Sequence, residues 1–395
     1  MIGISCQSLK KTIAVGLLAF GISFSLTSCM TTRYIAEKIV APPGDDLETL
    51  SVKLRDVLAP FYASQSMIAV GPPPAMLSMA VLDPGDYPVK ITTTMHDEGF
   101  VVKYDVDIPA RSRDIYLKAA KNIPHTRPHA TIILLPGYAL SKETMLGYAF
   151  LFAENGIRVV LLDPRAQGQS TGAFVTYGPL ESDDLSQVIE KLKTNGTIVG
   201  PLYLLGVSYG AAIALETAAK DPSVQAVVAI EPFSSVKAVI PRFVKEFRPL
   251  EAQYLSAKDV DQALEASRQI TGFNIVNSGP INIVNKIKSP ILYLVGTDDV
   301  VTPPNEVRSL AARSYSSDLC QILDKNHLSL PIDTGATWPI IRQWLKINIQ
   351  DDDLGDDPAK SQLPHATRPL ALDKTLGCLN NRELTLLPDL ARGSR

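Results

Sequence analysis

Gly206-Val207-Ser208-Tyr209-Gly210 is the segment of this chain best suited to covalent chemistry, because a G-x-S-x-G serine stands on a sharp strand-to-helix turn. The apolar run Leu202-Tyr203-Leu204-Leu205 leads into it, and the alanine-rich stretch Ala211 to Lys220 leads away. The two glycines remove side chains that would collide where strand and helix cross closely. A serine hydroxyl is a poor nucleophile until a base takes its proton, and a carboxylate must orient that base. For a serine held on such a turn, the carboxylate and then the histidine follow it along the chain. His96, His125 and His129 precede Ser208, and His365 lies beyond an acidic block near the carboxyl terminus, which leaves His327 as the base. It sits in Asp324-Lys325-Asn326-His327-Leu328, just after the apolar run Cys320 to Leu323. Asp298 and Asp299 end the preceding apolar run, and being adjacent, only one of them can face His327. The backbone N–H of Tyr209, the residue after the serine, is the first expected donor to a tetrahedral oxyanion.

The elements that must position these residues show in the hydropathy pattern. ATIILLPG, IRVVLLD, PLYLLGVS, VQAVVAIEP and SPILYLVGTDD are short runs rich in Val, Ile and Leu, each ended by Gly, Pro or Asp. Runs apolar on both faces imply strands covered on both sides, as in a parallel sheet. Helical stretches such as Ser182 to Lys193 and Ala211 to Lys220 alternate with them. The pattern predicts a mostly parallel, doubly wound α/β sheet. The gap from Phe233 to about Ser289 is too long for a crossover loop and carries helical periodicity from Val260 to Ile270. It is expected to form a small helical lid, about residues 236–285. Two further runs, Pro88 to Met95 and Phe100 to Ile108, flank His96-Asp97-Glu98-Gly99 and predict an antiparallel hairpin. Thr337 to Ile349 predicts a closing helix.

On these residues the chain resembles the α/β-hydrolase superfamily, especially its serine-aminopeptidase-like and monoacylglycerol-lipase-like branch, over about residues 85–350. That branch has Gly-x-x-Asp followed by a short apolar stretch and Pro. Gly296-Thr297-Asp298-Asp299-Val300-Val301-Thr302-Pro303 matches with Asp299 in the acid position. Some members of the fold take the acid from the end of the previous strand, where this chain has Glu231; its plainer reading is a carboxylate at the rim. Pro136-Gly137-Tyr138-Ala139 resembles the family's His-Gly-x loop, implying Tyr138 as the second oxyanion donor, with proline replacing histidine. Asp163-Pro164-Arg165-Ala166-Gln167-Gly168-Gln169-Ser170 resembles the family's Asp-x-Arg-Gly-x-Gly-x-Ser loop, and Arg165 is read as structural, in an ion pair or a carbonyl contact. The resemblance implies a serine hydrolase acting on a lipid or small acyl ester. Aminopeptidase and acyltransferase chemistry on the same three residues, or a non-catalytic binding role, are the alternatives.

The amino terminus adds a location. Lys10 and Lys11 precede an uncharged apolar stretch, Thr12 to Leu26, shorter than the ~20 residues a spanning helix needs. Leu26-Thr27-Ser28-Cys29 then resembles the bacterial lipobox, which implies removal of residues 1–28 and lipidation of Cys29. Several acyl chains supply the multiple hydrophobic signals that stable anchoring takes. Met30 is not the aspartate that retains such lipoproteins at the inner membrane, so the expected location is the outer membrane, facing the periplasm, in a Gram-negative cell. Residues 29–86 are read as an extension, 87–350 as the hydrolase domain and 351–395 as a mobile tail opening on Asp351-Asp352-Asp353. Cys320 and Cys378 could pair in an oxidising compartment, but the apolar run around Cys320 favours an inert buried thiol. A net charge of −3 gives no basic field for nucleic acid. No Cys/His cluster has metal-ligand spacing and no glycine-rich loop has phosphate-binding spacing, so no cofactor is expected.

Overall fold

The computed structural model describes residues 2–5, 28–42, 55, 59–85, 87, 89–96, 99–106, 127–253, 255–349 and 378–380. The amino-terminal part comprises β1 (Ile2–Ser5), α1 (Ser28–Val40), β2 (Ser64–Val70), β3 (Ala75–Leu82), β4 (Val89–His96) and β5 (Gly99–Val106). The central part runs β6 (Ala130–Leu135), α2 (Leu146–Glu154), β7 (Ile157–Leu162), α3 (Pro179–Thr194), β8 (Leu202–Val207), α4 (Tyr209–Lys220) and β9 (Val224–Ile230). Then follow α5 (Val236–Phe247), α6 (Pro249–Ala252), α7 (Ala257–Thr271), β10 (Ile291–Gly296), α8 (Pro304–Arg313), β11 (Ser317–Ile322), α9 (Ser329–Ile332), α10 (Thr334–Ile349) and β12 (Cys378–Asn380).

Nine strands form one sheet in the order β12-β11-β10-β9-β8-β6-β7-β3-β2. The six from β7 to β11 pair parallel, and five of them, β6 to β10, are the short apolar runs that such a sheet covers on both faces. Alternate residues serve opposite faces. Ile133, Leu135, Val160 and Leu204 pack with α3 and α4 on one side, while Ile132, Leu134, Leu161 and Leu205 pack with α2 and Trp344 of α10 on the other.

Three expectations about the ends of the chain need correction. The sheet does not begin after residue 87, because β2 and β3, from the segment read as an extension, form an antiparallel hairpin on it, with β3 running antiparallel to β7. β3 is buried along nearly its whole length, so its place is in the core, and the proline-rich segment Gly71 to Pro74 is the turn of that hairpin. The tail returns to the sheet as β12, antiparallel to β11 with Cys378 opposite Cys320. The two sulfurs are therefore joined in a disulfide, and Cys320 is not a free thiol. Reading the apolar run around Cys320 alone cannot reveal a partner 58 residues away.

The β4–β5 hairpin forms antiparallel as expected, but in a separate three-stranded sheet with β1. β1 lies in the segment read as a signal peptide, whose residues 6–27 are outside the described residues. Residues 43–58 are outside them too, apart from Arg55.

The 236–285 insertion is helical, built from α5, α6 and α7 with two single turns after them. Ser256 and Asp259 cap α7 reciprocally, and Gly272 ends it in the left-handed region at φ 78°. Val260, Ala263 and Leu264 of α7 share a buried cluster with Ala36, Ile39 and Val40 of α1. The Arg242 guanidinium of α5 pairs with Glu306 of α8, which also accepts from Ser234 Oγ at 2.9 Å, tying the insertion to the body.

Candidate active site

Tyr138, Ser208, Glu231, Asp299 and His327 all follow the carboxyl ends of sheet strands, where open α/β sheets place their sites. Ser208 has φ 50° and ψ −105°, a strained conformation for a residue with a side chain. The strain persists because strand and helix are pressed together. A Cβ on Gly206 would come within 2.2 Å of the Gly210 carbonyl oxygen, and one on Gly210 within 2.3 Å of the Leu135 carbonyl oxygen. Both glycines are thus required, and the second brings the loop after β6 against the start of α4.

His327 Nε2 lies 3.0 Å from Ser208 Oγ, and His327 Nδ1 lies 2.8 Å from Asp299 Oδ2. Asp299 is buried, whereas Asp298 is exposed and meets Thr297. The Asp299 carboxylate also accepts from the amides of Val301 and Thr302, each at 2.8 Å, and from Thr302 Oγ1 at 2.6 Å. Burial alone would raise this carboxyl, but the hydrogen bond and charge of His327, with the Thr302 donors, outweigh it and hold it below the usual carboxylate range. The two loops are tied together: Asp298 N donates to the Lys325 carbonyl at 2.9 Å, and Asp324 N to Thr297 Oγ1 at 3.0 Å. A hydroxyl bonded to an imidazole that a carboxylate holds is the arrangement that makes serine a nucleophile.

Tyr138 and Tyr209 are neighbours, with ring centroids 5.8 Å apart. The amide of Tyr209 belongs to the first turn of α4, where N–H groups have no partner within the helix. Beside Tyr138, the Ala139 amide donates to Gln167 Oε1 at 2.6 Å, so the loop after β7 braces the loop after β6. Sequence reading missed Gln167 in this role, and Thr302 against Asp299; a threonine three residues past an acid was the available signal for the second. Tyr138 also stacks on Tyr177 at 5.8 Å and meets Phe243 of the α5 insertion edge-on at 5.6 Å. An aromatic cluster therefore joins the loop after β6 to α5 of the insertion.

Arg165 makes both contacts considered for it: a paired salt bridge to Asp184, two bonds of 2.7 Å, and a bond of 2.9 Å to the Pro73 carbonyl. It does not reach the Ser208 hydroxyl or the His327 ring. Asp163 accepts from the Lys142 amide at 2.6 Å and its Nζ at 2.8 Å, and its carboxyl fills the space a Cβ on Gly168 would need. Glu231, Asp299 and His327 bring three ligand-type atoms within 4.8 Å of one another, the one such group among the described residues. Two of those atoms already share the Nδ1–Oδ2 hydrogen bond, so the group is built for holding a proton.

The helix carrying the serine holds a second unusual acid. Glu216 is buried under Gly178, and burial, with Glu181 and Asp183 adding to it and Lys220 opposing, pushes its carboxyl up to about 8. It is neutral when folded and ionised when unfolded over the range between its ordinary value and 8. Its effect on stability is therefore most favourable below pH 4.5 and is lost as pH rises to 8, at about 1.4 kcal/mol per pH unit. Glu216→Gln should melt progressively higher than wild type between pH 5 and pH 8, with the gap level above that. A gap that does not change with pH would show the carboxyl to be ionised in the folded protein.

The family model for serine aminopeptidase, S33, matches residues 126–271. The chain is 30% identical over 190 residues to the uncharacterized protein YqkD of Bacillus subtilis (strain 168), a match covering 47% of this chain. It spans only 60% of that relative's length. Among solved structures it is similar to an esterase of Pyrococcus furiosus, with TM-score 0.51 and 18% identity, covering 74% of this chain and 94% of the other. It is also similar to 2,6-dihydroxy-pseudo-oxynicotine hydrolase, with TM-score 0.50 and 16% identity, covering 77% and 72%. The class is thereby defined: the chain has the α/β-hydrolase fold, with a mostly parallel nine-stranded sheet flanked by helices.

Proposed function

We propose that this protein is a lipid-anchored serine hydrolase that cleaves a carboxylic ester with an apolar acyl group. The observation that carries the reading is the continuous chain Ser208 Oγ, His327 Nε2, His327 Nδ1, Asp299 Oδ2, with contacts of 3.0 and 2.8 Å. Ser208 Oγ attacks the ester carbonyl carbon while its proton passes to His327 Nε2, and Asp299 steadies the resulting imidazolium. The oxyanion is held by the amides of Tyr138 and Tyr209. The bond to the alcohol oxygen breaks, and His327 returns the proton to that oxygen. Water then attacks the acyl-enzyme, giving its proton to His327, and Ser208 regains a proton as the acid leaves. The partly exposed rings of Tyr138 and Phe243, in edge-on contact, suit an apolar acyl chain.

The anchor is part of the same reading. Cys29 falls in the first turn of α1, and α1 packs on α7 of the insertion, so a lipid on Cys29 holds the insertion close to the bilayer and its ester lipids. The Cys320–Cys378 disulfide suits an oxidising compartment such as the periplasm.

A fluorophosphonate probe, which loses fluoride as its phosphorus bonds to an activated serine, should label wild type on the peptide containing Ser208 and leave Ser208→Ala unlabelled. Equal labelling of the two would remove Ser208 from the mechanism. Intact-mass analysis of the mature protein should find an acylated Cys29 at its amino terminus, and an unmodified cysteine there would remove the anchor.

A further inference from the structure

His327 Nδ1 faces two carboxyl groups. Glu231 Oε2 lies 3.6 Å from it, beyond Asp299 Oδ2 at 2.8 Å. The Glu231 side chain is fully buried, and among the described residues neither of its oxygens accepts a hydrogen bond of good geometry. Burial and the neighbouring Asp299 charge outweigh the Gly296 amide that faces it, so a carboxyl in this setting keeps its proton. The backbone is arranged to place it there: Glu231 has φ 51°, a left-handed conformation fixed by a 2.7 Å bond from its amide to the Leu294 carbonyl. Strain of this kind in a residue with a long side chain is found where the side chain has a task. Asp299, with its four donors, is equipped to be ionised, and Glu231, fully buried with the Gly296 amide as the one neighbouring donor that favours its charge, is equipped to be neutral.

We propose that Glu231 is a second, proton-bearing carboxyl of the site, a positioning residue that hydrogen-bonds Asp299 and takes over its charge when Asp299 is lost. This rests on the serine hydrolase reading above. Two ionised carboxylates against one imidazole would favour its protonated form, which cannot accept the Ser208 proton; one ionised and one neutral carboxyl avoid that. The proton on Glu231 has Asp299 as its neighbouring acceptor, so the pair shares one negative charge. The titratable groups facing Glu231 are Asp299 from the loop after β10, His327 from the loop after β11 and Tyr148 from α2. Burial drives the Tyr148 phenol up, and it is hydrogen-bonded to Thr337, so it stays neutral while Glu231 titrates.

The test combines two measurements. In the first, rates of fluorophosphonate labelling are followed against pH. Glu231→Gln keeps the neutral form that wild type carries and should label within about threefold of wild type, with an unshifted profile. Asp299→Asn should label slowly, at a rate that climbs with pH over a range where wild type is level, as Glu231 ionises to replace the lost charge. Adding Glu231→Gln to Asp299→Asn should remove that climb and cost at least a further tenfold. In the second, the infrared difference between wild type and Glu231→Gln at neutral pH should contain the carbonyl band of a protonated carboxyl. A folded Glu231→Gln that fails to label, an Asp299→Asn profile indifferent to Glu231, or a missing carbonyl band would each overturn the proposal. Labelling of Ser208→Ala would instead overturn the hydrolase reading, with the infrared band still deciding the state of Glu231.

Discussion

His327→Ala should lower kcat for a short-chain acyl ester by roughly 10⁶-fold, while Asp299→Asn should cost roughly 10⁴-fold and Asp298→Asn less than about twofold. The ordering follows from position. His327 is the group that touches the Ser208 hydroxyl, so its removal takes away both the base and the acid of the proposed reaction. Asp299 acts one step further out, through Nδ1, and its loss leaves an imidazole of uncertain tautomer beside Glu231. Asp298 is exposed and bonded to Thr297, away from the ring. Steady-state kinetics on the three purified variants, each checked for an unchanged melting temperature, would measure this. An Asp298→Asn enzyme as slow as Asp299→Asn would overturn the assignment of Asp299 as the carboxylate that orients His327.

Much of this candidate site is legible in the sequence. The strands β6 to β10 announce themselves because each is an apolar run of the kind a doubly covered sheet demands. Ser208 is marked by glycines whose absence of a Cβ is a geometric necessity, and His327 is isolated by its order in the chain. What was not legible depends on contacts between segments far apart. β2 reads as a spacer because most of its residues are exposed at the sheet edge; β3 is an apolar run whose partner β7 lies far along the chain; and β12 is three residues in a polar tail. Glu231 looks like a rim carboxylate until the turn at φ 51° directs it inward. Gln167 braces Ala139 across 28 residues, and no local pattern specifies that a glutamine side chain will find that amide.

The same kind of long-range contact sets the second large expected effect. Arg165→Ala should destabilise the protein by about 3–5 kcal/mol, because it leaves Asp184 as a buried charge without its partner. It also strips the donor from the Pro73 carbonyl, loosening the β2–β3 turn from the sheet. Burial already raises the Asp184 carboxyl against the pull of Arg165, so without the arginine it will rise further. A carboxyl neutral when folded and ionised when unfolded loses stability as pH rises, so the cost should be larger at pH 8 than at pH 5. Denaturant midpoints at the two pH values would read this. Arg165→Met with Asp184→Leu should recover most of the loss, since a buried pair can be replaced by apolar groups of similar size. If the two single variants were additive and each cost under about 1 kcal/mol, the pair would be no brace. The consequence reaches the reaction as well. Arg165 holds the loop that carries Gln167, Gln167 holds Ala139, and Ala139 follows the Tyr138 amide proposed to bind the oxyanion. At a temperature where Arg165→Ala remains folded, kcat should therefore fall by roughly tenfold or more, since displacing one oxyanion donor removes part of the 10²–10³ it supplies.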